Sequence, residues 1–436
     1  MSLSATPAAA APPAIRIRWV IFAWVFATAF VAYLQRSAMS VIAVPLHREL
    51  GFTIEQIGWI FNAFMITYTA FQVPGGMFGQ RVGPRRGTTL YLVVAAAGTV
   101  AFAAAPWVAA GAALFALMIG IRLLIGVAHG PLFPTNAGLM QAWFPPRRWA
   151  LINGLQVMGL SLGGALAQPI AGSLMERSGW QVALYATSVP GFLLAVFWWW
   201  SVRDTPREHP VVGAAELAEI EADRQPTRAR RFDWAEVRRV LLNRHIAWIT
   251  IGYLLQNYVY YFFWNWGFSY LVEGRHMTVP SSKWLMAIPL AAGAIGAALG
   301  GQWCDLARAR LGPRWGFRLL PLVALPLAAL LLVVVARTPS DALAVAALAG
   351  CFFATQLTQA PFWAAAYWIA PEQASTATGI VNAGGNLGGI IGTWLVAMLV
   401  SSAGWGTAIA TGVGFALASA ATWFLVDAER RVAVDA

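Results

Sequence analysis

The chain has 436 residues, of which 59% are hydrophobic and 11% are charged, and its mean hydropathy is +0.63. A soluble globular protein of this length would carry far more charge, so the composition excludes that class and indicates an integral membrane protein. The net charge of +11 would suit a nucleic-acid partner. However, the basic residues lie mostly in short connections between apolar segments, so we expect no nucleic acid to bind.

Twelve apolar segments have roughly the length that a helix needs to cross a bilayer, which is about 20 residues. The alternation of apolar and polar residues that is typical of barrel strands is absent. The sequence therefore predicts an all-α membrane protein with twelve transmembrane helices. The segments lie near residues 17–44, 55–79, 87–107, 110–143, 147–174, 180–202, 244–271, 280–307, 315–336, 340–370, 373–400 and 403–427.

The distribution of basic residues predicts the orientation of the chain. Most of the 29 lysines and arginines fall on the side of the two termini. Because positive charge is enriched in cytoplasmic loops, we expect a multi-pass protein of the cell inner (plasma) membrane with both termini in the cytoplasm. The residues assigned to the cytoplasmic side include Arg16, Arg18, Arg81, Arg85, Arg86, Arg147, Arg148, Arg308, Arg310, Arg314 and Arg318, and those on the other side are Arg48, Arg177, Arg275, Lys283 and Arg337.

A polar stretch at residues 203–243, rich in arginine and glutamate, divides the chain into two sets of six helices, residues 15–202 and 244–427. We expect this linker to be a cytoplasmic tether that contacts anionic lipid and contains a short surface helix. Residues 1–14 are rich in alanine and proline and are predicted to be a disordered tail. They lack the apolar core of a signal peptide. Residues 428–436 form a second tail.

An internal repeat with a constant offset of 225 residues relates the two sets of helices. Two similar halves with a site near the midplane between them are typical of secondary transporters. Small residues at spacings of four or five also let helix backbones approach closely, and this packing role explains most of the glycines. The repeat matches Gly75 and Gly76 with Gly300 and Gly301; Gly154, Gly159, Gly163 and Gly164 with Gly379, Gly384, Gly388 and Gly389; and Gly179 and Trp180 with Gly404 and Trp405.

Arg36, Arg122 and His129 fall inside predicted membrane segments, away from the segment ends. Arg122 and His129 are seven residues apart, so they share one helix face about two turns apart. A guanidinium at membrane depth costs at least about 2.5 kcal/mol and usually faces the bundle interior or a water-filled cavity. All 18 acidic residues fall in loops, tails or helix ends by this segmentation. The interior is therefore expected to be positive and to favour an anionic solute, although Arg36 could instead extend to the outer surface.

Neutral polar residues mark the second set of helices. The stretch 256–266, QNYVYYFFWNW, puts Asn257, Tyr258 and Tyr261 at spacings that we expect to reach a common face. Asn382 and Asn386 share a face at i, i+4. Amides and phenols beside two arginines suit the hydroxyls of a sugar acid or a similar polyol, and Tyr261 and Trp264 could also stack on an aromatic acid. They could equally serve as hydrogen-bonding contacts between helices.

Four stretches carry a more specific signal: YLQRSAMSVIAVPLHRELGF (33–52), NAFMITYTAFQVPGGMFGQRVGPRR (62–86), RLLIGVAHGPLFPTN (122–136) and GIVNAGGNLGGI (379–390). Together they resemble the anion:cation symporter family of the major facilitator superfamily, which includes carriers of galactonate, glucarate and hexuronates. The resemblance implies twelve helices in two pseudosymmetric six-helix bundles. It also implies a secondary transporter that moves a small organic carboxylate by alternating access.

The resemblance further implies that Arg36 binds the substrate carboxylate, with Tyr33 one turn away and Tyr68 opposite on the second helix. The planar fork of a guanidinium independently suits a carboxylate. Arg122 adds a second positive charge to the expected substrate site. Family position adds three weaker candidates for substrate contact, which are Gln156, Gln359 and Trp363.

A gate is implied in the basic connections after the second and eighth helices, residues 75–86 and 300–314. In this superfamily a carboxylate and arginines lock the cytoplasmic side at these points. The second connection has the carboxylate, Asp305, whereas the first has Gln80 where an aspartate is usual, so we expect a weaker first latch. The residues assigned to the gate are Gln80, Arg81, Arg85 and Asp305.

Two departures from the family pattern affect proton coupling. Gln35 stands where an aspartate usually precedes the first-helix arginine, and His129 stands where a glutamate usually follows the fourth-helix arginine. A histidine has an unperturbed pKa of about 6.5, so His129 is the group at membrane depth that could carry a proton near neutral pH. Two mechanisms remain open. One is electroneutral symport of an anion and a proton through His129; the other is proton-independent uniport or exchange, with His129 as a packed polar residue.

Enzymatic function finds little support, because the sequence offers no nucleophile–base pair, metal-ligand spacing or phosphate-binding loop. We expect no cofactor and no metal, and Cys304 and Cys351 lie in separate helices, which argues against a disulfide. A non-transporting solute sensor remains an alternative, as does a carrier of monocarboxylates or aromatic acids. The expected partners of this monomer are the organic anion, protons in the symport mechanism, and membrane lipid.

Overall fold

The computed structural model describes residues 16–145, 149–221, 234–370 and 374–430. The expectations for the tail 1–14, for Arg147 and Arg148, for the middle of the linker and for the last six residues lie outside these ranges.

The described chain is built from helices, which we number in chain order. The first half contains α1 (Ile17–Arg48), α2 (Ile54–Val82), α3 (Pro84–Ala104), α4 (Gly111–His129), α5 (Leu132–Trp143), α6 (Trp149–Ser178) and α7 (Trp180–Ser201). The linker contains α8 (Ala214–Glu221) and α9 (Trp234–Leu241). The second half contains α10 (Arg244–Tyr261), α11 (Gly267–Ser269), α12 (Val279–Arg337), α13 (Asp341–Leu357), α14 (Gln359–Ile369) and α15 (Ala374–Thr422). Two π-helical stretches, Phe262–Trp266 and Tyr270–Gly274, flank α11.

Within the described ranges these helices make twelve membrane crossings, which confirms the predicted all-α membrane fold. Eight helices or joined helices are long and apolar enough to cross a membrane. Two of them, α12 and α15, change direction at Gly312 (φ 75°) and Gly404 (φ 81°) and therefore cross twice. The remaining two crossings are α2, and α10 with its π-helical continuation. The fourth crossing consists of α4 and α5, and the tenth of α13 and α14.

The glycine repeat has a structural counterpart in both halves. Gly179 and Gly404 adopt positive φ angles of 87° and 81° between successive helices, a conformation that favours glycine. Gly163 of α6 lies against the backbone carbonyl of Phe30 in α1, and Gly388 of α15 lies in the same way against a carbonyl of α10, so a Cβ at either position would clash. The repeated glycines thus allow the same close helix pair to form in each half.

The two halves are joined mainly at one end. We call the end that carries both termini and the linker the terminal face, and the opposite end the far face. The largest cluster of buried apolar side chains, toward the far face, draws on both halves, with Ile42 and Phe61 from the first and Phe263 and Leu271 from the second. Two further clusters toward the terminal face each belong to one half. The first-half cluster includes Ile21, Trp143 and Trp198, and the second-half cluster includes Ile249, Phe362 and Trp423.

Polar contacts reinforce the junction at the far face. Lys283 of α12 donates to Glu176 of α6 at 2.7 Å, and this ion pair joins the two halves. Ser401 of α15 donates a hydrogen bond to Glu55 in the first turn of α2. Because each contact has one partner in each half, both must break if the far face is to open.

The expected surface helix in the linker is α8, and it docks on the start of α1. Glu216 accepts hydrogen bonds from the backbone N–H groups of Ile17 and Arg18, each at 3.1 Å. The carboxylate thereby caps free donors at a helix N-terminus. Arg18 is fully buried and pairs with Glu219 at 2.7 Å. Charged contacts with α1 therefore hold the linker against the first half, in addition to its covalent connection.

Candidate functional site

Arg36 lies in α1 at the contact between the halves, and its side chain turns inward rather than toward the outer surface. The guanidinium donates to Tyr33 Oη at 3.3 Å and to Met65 Sδ at 3.2 Å. Four aromatic rings surround its Cζ with centroids at 5.1 to 5.5 Å: Tyr33, Phe64 and Tyr68 from the first half and Tyr261 from the second. Aromatic faces attract a cation without neutralising it. Among the residues that the structure describes, no carboxylate forms an ion pair with Arg36, so the guanidinium keeps donors for an anion.

Two small cavities meet at Arg36, each of about 10 Å³ and thus large enough for about one water molecule. The front cavity lies between α1, α2, α4 and α5 and is lined by Tyr33, Arg36, Phe64, Tyr68, His129 and Phe133. The rear cavity lies deeper in the first half and is lined by Gln35, Arg36, Thr99, Arg122 and His129, among others. Arg36 and His129 line both cavities, so they separate the front of the site from its rear.

Arg122 lies behind this site rather than in the front cavity. The side chain is buried, Nε donates to the carbonyl oxygen of Ile60 at 3.3 Å, and Cζ lies 4.7 Å from the ring centroid of Phe64. The Phe64 ring therefore contacts the guanidinium groups of both Arg36 and Arg122. The two arginines share the rear cavity, and of the two only Arg36 also lines the front cavity.

His129 and Gln35 are the two expected departures from the family pattern. The His129 ring packs edge-on against Phe64 with centroids 5.6 Å apart, at the end of α4. Gln35 turns away from the interface, and its Nε2 donates to the carbonyl oxygen of Thr187 in α7 at 3.2 Å. Of the two, only His129 borders the front cavity beside Arg36.

Second-half amides approach Arg36 through Tyr261. The Tyr261 ring faces the guanidinium, and its hydroxyl donates to Asn386 Oδ1 at 3.3 Å. Asn386 Nδ2 is buried without a hydrogen-bond partner within the described part of the chain. One turn nearer the terminal face, Asn382 Nδ2 donates to Gln72 Oε1 of α2 at 2.9 Å, which joins the halves. A line of neutral polar groups therefore continues from the arginine into the second half.

Tyr258 does not lie with these groups, and the prediction of a common face for it is wrong. Its hydroxyl donates to the carbonyl oxygen of Ala408 at 2.9 Å, and its ring stacks on Phe415 at 4.6 Å, both in α15. Successive residues on a helix are about 100° apart, so Tyr258 cannot share the direction of its neighbour Asn257. Asn257 is buried and donates back to the carbonyl oxygen of Tyr253 at 2.6 Å.

Two of the three weaker candidates, Gln359 and Trp363, contact Tyr253 of the second half. Gln359 accepts from the Tyr253 hydroxyl at 3.0 Å, and Trp363 packs edge-on against the Tyr253 ring at 5.8 Å. Gln156 of α6 is buried, and its Nε2 has no hydrogen-bond partner in the described ranges. Tyr253 thus contacts both Gln359 and Trp363.

The sequence indicated Trp264 only as a ring that could stack on an aromatic acid, and the structure places it beside the expected site residues. Its ring packs edge-on against Tyr33 at 5.6 Å and fills a notch at Gly164 of α6, where a Cβ would overlap the indole. Gly164 belongs to the glycine repeat, so the signal was present. Its partner could not be known, because Trp264 lies in the π-helical stretch that changes the direction of side chains after Tyr261.

The expected gating residues do not meet across the halves. Gln80 and Arg81 are exposed, and Asp305 pairs with Arg308 of its own helix at 3.6 Å. Arg85 stacks on Trp199 at 4.4 Å, and its backbone N–H donates to Asp204 at 2.7 Å. Asp204, from the linker, is thus the carboxylate next to the first connection.

Twelve helices around a charged and polar interior at membrane depth define the class of a polytopic membrane transporter. The chain belongs to the Major Facilitator Superfamily, whose profile matches residues 25–367 and 268–435.

Among curated relatives, the hexuronate transporter of Bacillus subtilis is 29% identical over 388 residues, which cover 88% of each chain. The probable galactarate/D-glucarate transporter of the same organism is 27% identical and covers 89% of this chain and 87% of its own. The D-galactonate transporter of Escherichia coli is 26% identical, and the match covers 96% of this chain and 97% of the transporter. These relatives confirm the identification of a major facilitator protein similar to sugar-acid transporters; they are transporters, not enzymes.

Solved structures share the fold. The crystal structure of a bacterial homologue of the human lysosomal transporter Spinster, inward-facing and unoccupied, has a TM-score of 0.79 at 17% identity and covers 97% of this chain and 100% of its own. The inward-open xylose transporter of Escherichia coli has a TM-score of 0.71 at 11% identity, and the match covers 93% of this chain and 96% of the xylose transporter.

Proposed function

We propose that this protein is a secondary transporter that moves a small organic carboxylate, most simply a sugar acid, across the inner membrane by alternating access. The observation that carries the proposal is the Arg36 guanidinium, held at the contact between the halves by rings from both and paired with no carboxylate of the described chain. A carboxylate would supply the missing charge through a bidentate contact. The similar transporters of hexuronate, galactarate/D-glucarate and D-galactonate support the same class of solute.

Thermal stabilisation and uptake test this proposal directly. The purified protein is heated with a panel of sugar acids, dicarboxylates and aromatic acids, because a ligand that binds only the folded state raises the unfolding temperature. Each ligand that stabilises the protein is then offered to proteoliposomes. Saturable uptake of a sugar acid supports the proposal. Binding without uptake would indicate the sensor alternative, and no stabilisation by any carboxylate would contradict the proposal.

Proton coupling through His129 is the finer part of the proposal. His129 borders the front cavity with Arg36, so a proton on its ring would lie beside a bound anion. Moving the proton with a monoanion removes an electrical cost of about 2.3 kcal/mol per 100 mV. Proton-independent uniport or exchange is the competing mechanism, favoured by Gln35 and His129 in place of carboxylates.

An imposed pH gradient separates the two mechanisms. Uptake into proteoliposomes is measured with and without an inward proton gradient, for the wild type and for His129→Gln. Symport predicts that the gradient accelerates the wild type and has little effect on the variant. If neither the gradient nor the substitution changes uptake, the proton has no part in transport.

We also propose that both termini face the cytoplasm and that the halves, residues 15–202 and 244–427, move as two bodies of a monomer. The excess of basic residues at the terminal face supports this orientation. In intact cells, an impermeant thiol reagent should label a cysteine introduced at exposed Glu49 of the far face but not one at exposed Arg81. The opposite labelling pattern would reverse the orientation.

A further inference from the structure

We infer that the transported sugar acid carries a single carboxylate, at one end, and that its other end is a neutral polyol. This inference rests on the proposed function and specifies its substrate class. It distinguishes between two kinds of solute in the names of the relatives, because galactarate and glucarate have a carboxylate at both ends, whereas galactonate and hexuronates have one.

One guanidinium is available to a solute between the halves. Arg36 borders the front cavity and faces Tyr261 of the second half. Arg122 is buried behind, lines only the rear cavity of the two, and has the Phe64 ring against its guanidinium. A carboxylate that binds Arg36 can form the bidentate contact there. A second carboxylate at the end of a chain directed toward Tyr261 lies away from Arg122, which is behind Arg36 in the first half.

The described part of the second half offers no cation to a distant carboxylate. Its described lysines and arginines all stand near helix ends or turns: Arg244, Arg275, Lys283, Arg308, Arg310, Arg314, Arg318, Arg337 and Arg430. The Arg36 guanidinium instead faces the ring of Tyr261, and Asn386 lies beyond the Tyr261 hydroxyl. A carboxylate placed there would lose its water without gaining a positive partner.

The same neutral groups suit hydroxyls. An amide both donates and accepts hydrogen bonds, as a hydroxyl does, so each can satisfy the other. Asn386 Nδ2 is a buried donor that has no partner in the described ranges, and the oxygen of a solute hydroxyl would accept a hydrogen bond from it. Its position one tyrosine ring beyond Arg36 fits a short carbon chain with its acid group on the arginine.

Matched ligand pairs test the inference. Galactonate and galactarate differ only at carbon 6, which is a CH₂OH group in one and a carboxylate in the other, and gluconate and glucarate form a second such pair. Dissociation constants are measured by calorimetry on the purified protein. We expect each monoacid to bind at least about tenfold more tightly than its diacid, because the second charge is left without a partner.

A charge introduced into the second half provides the converse test. Asn386→Lys should shift the preference toward the diacid by at least about tenfold, and Gln359→Lys, at a half-buried position, serves if the first variant does not fold. Asn386→Gln, which stays neutral, should keep the wild-type order of the ligands. Diacids that bind the wild type as tightly as monoacids overturn the inference and leave the proposed function intact. Failure of all four acids to bind overturns the inference, and failure of every carboxylate in the wider panel overturns the proposed function as well.

Discussion

The two halves share one fold but differ in chemistry at membrane depth. The first half places Arg36, Arg122 and His129 inside the bundle, whereas the second half places neutral amides and phenols, such as Asn386 and Tyr261, at the facing positions. On the proposed function, one half recognises the charge of the solute and the other its hydroxylated chain. A solute that needs both halves stabilises their approach, which is what a substrate must do in alternating access.

The largest effect is expected where the charged half meets the neutral one. Arg36→Lys keeps the charge but loses the planar fork, and we expect substrate affinity to fall by about 1.5–3 kcal/mol, roughly 10- to 150-fold. Uptake kinetics in proteoliposomes measure the loss. Arg337→Lys, at the exposed end of α12, should behave as the wild type. Normal transport by Arg36→Lys would remove Arg36 from the site.

A smaller and more selective effect is expected on the neutral side. Asn386→Ala removes the amide that follows Tyr261 and should weaken binding of a polyhydroxylated acid by about 1 kcal/mol, roughly fivefold. A short carboxylate without hydroxyls should be unaffected. Asn265→Ala is the matched control, since that amide donates to Thr393 at 2.8 Å. Equal losses for both ligands would mean that Asn386 serves helix packing.

Arg122 offers a direct contrast with Arg36 within the first half. If Arg122 acts on the solute only through the field of its charge, Arg122→Lys should change substrate affinity by less than about threefold. Competition binding on the two lysine variants in parallel provides the measurement. A loss as large as that of Arg36→Lys would show that both guanidinium forks touch the solute.

The smallest effect is expected for the junction between the halves, which governs opening rather than recognition. Glu176→Gln weakens the partly exposed ion pair with Lys283 by up to about 1 kcal/mol and should increase the population with an open far face. Spin labels at exposed Glu49 and Ser402 report this as longer distances. Asp341→Asn breaks a pair inside the second half and should not alter them. Altered ligand selectivity in Glu176→Gln would contradict the view that this ion pair governs opening and not recognition of the solute.

Much of the fold could be predicted because the bilayer imposes it. A run of about 20 apolar residues has few alternatives to a membrane helix, and basic connections indicate their side. The glycine repeat also carried structural information, since Gly179 and Gly404 occur where the backbone needs positive φ. The interruptions of regular α-helix within a membrane crossing, at the end of α4 and around α11, could not be predicted from the sequence. They depend on how the side chains pack against neighbouring helices.

The sequence by itself determined that this is a polytopic, internally repeated membrane protein with arginines and a histidine buried at membrane depth, because the cost of charge in lipid allows little else. Only the tertiary structure decided which of these groups face the other half. Phe64 separates Arg122 from the front cavity, Tyr258 turns toward α15, and Trp264 occupies the notch at Gly164. Such contacts join residues far apart in the chain, and helical periodicity specifies a face without specifying its partner.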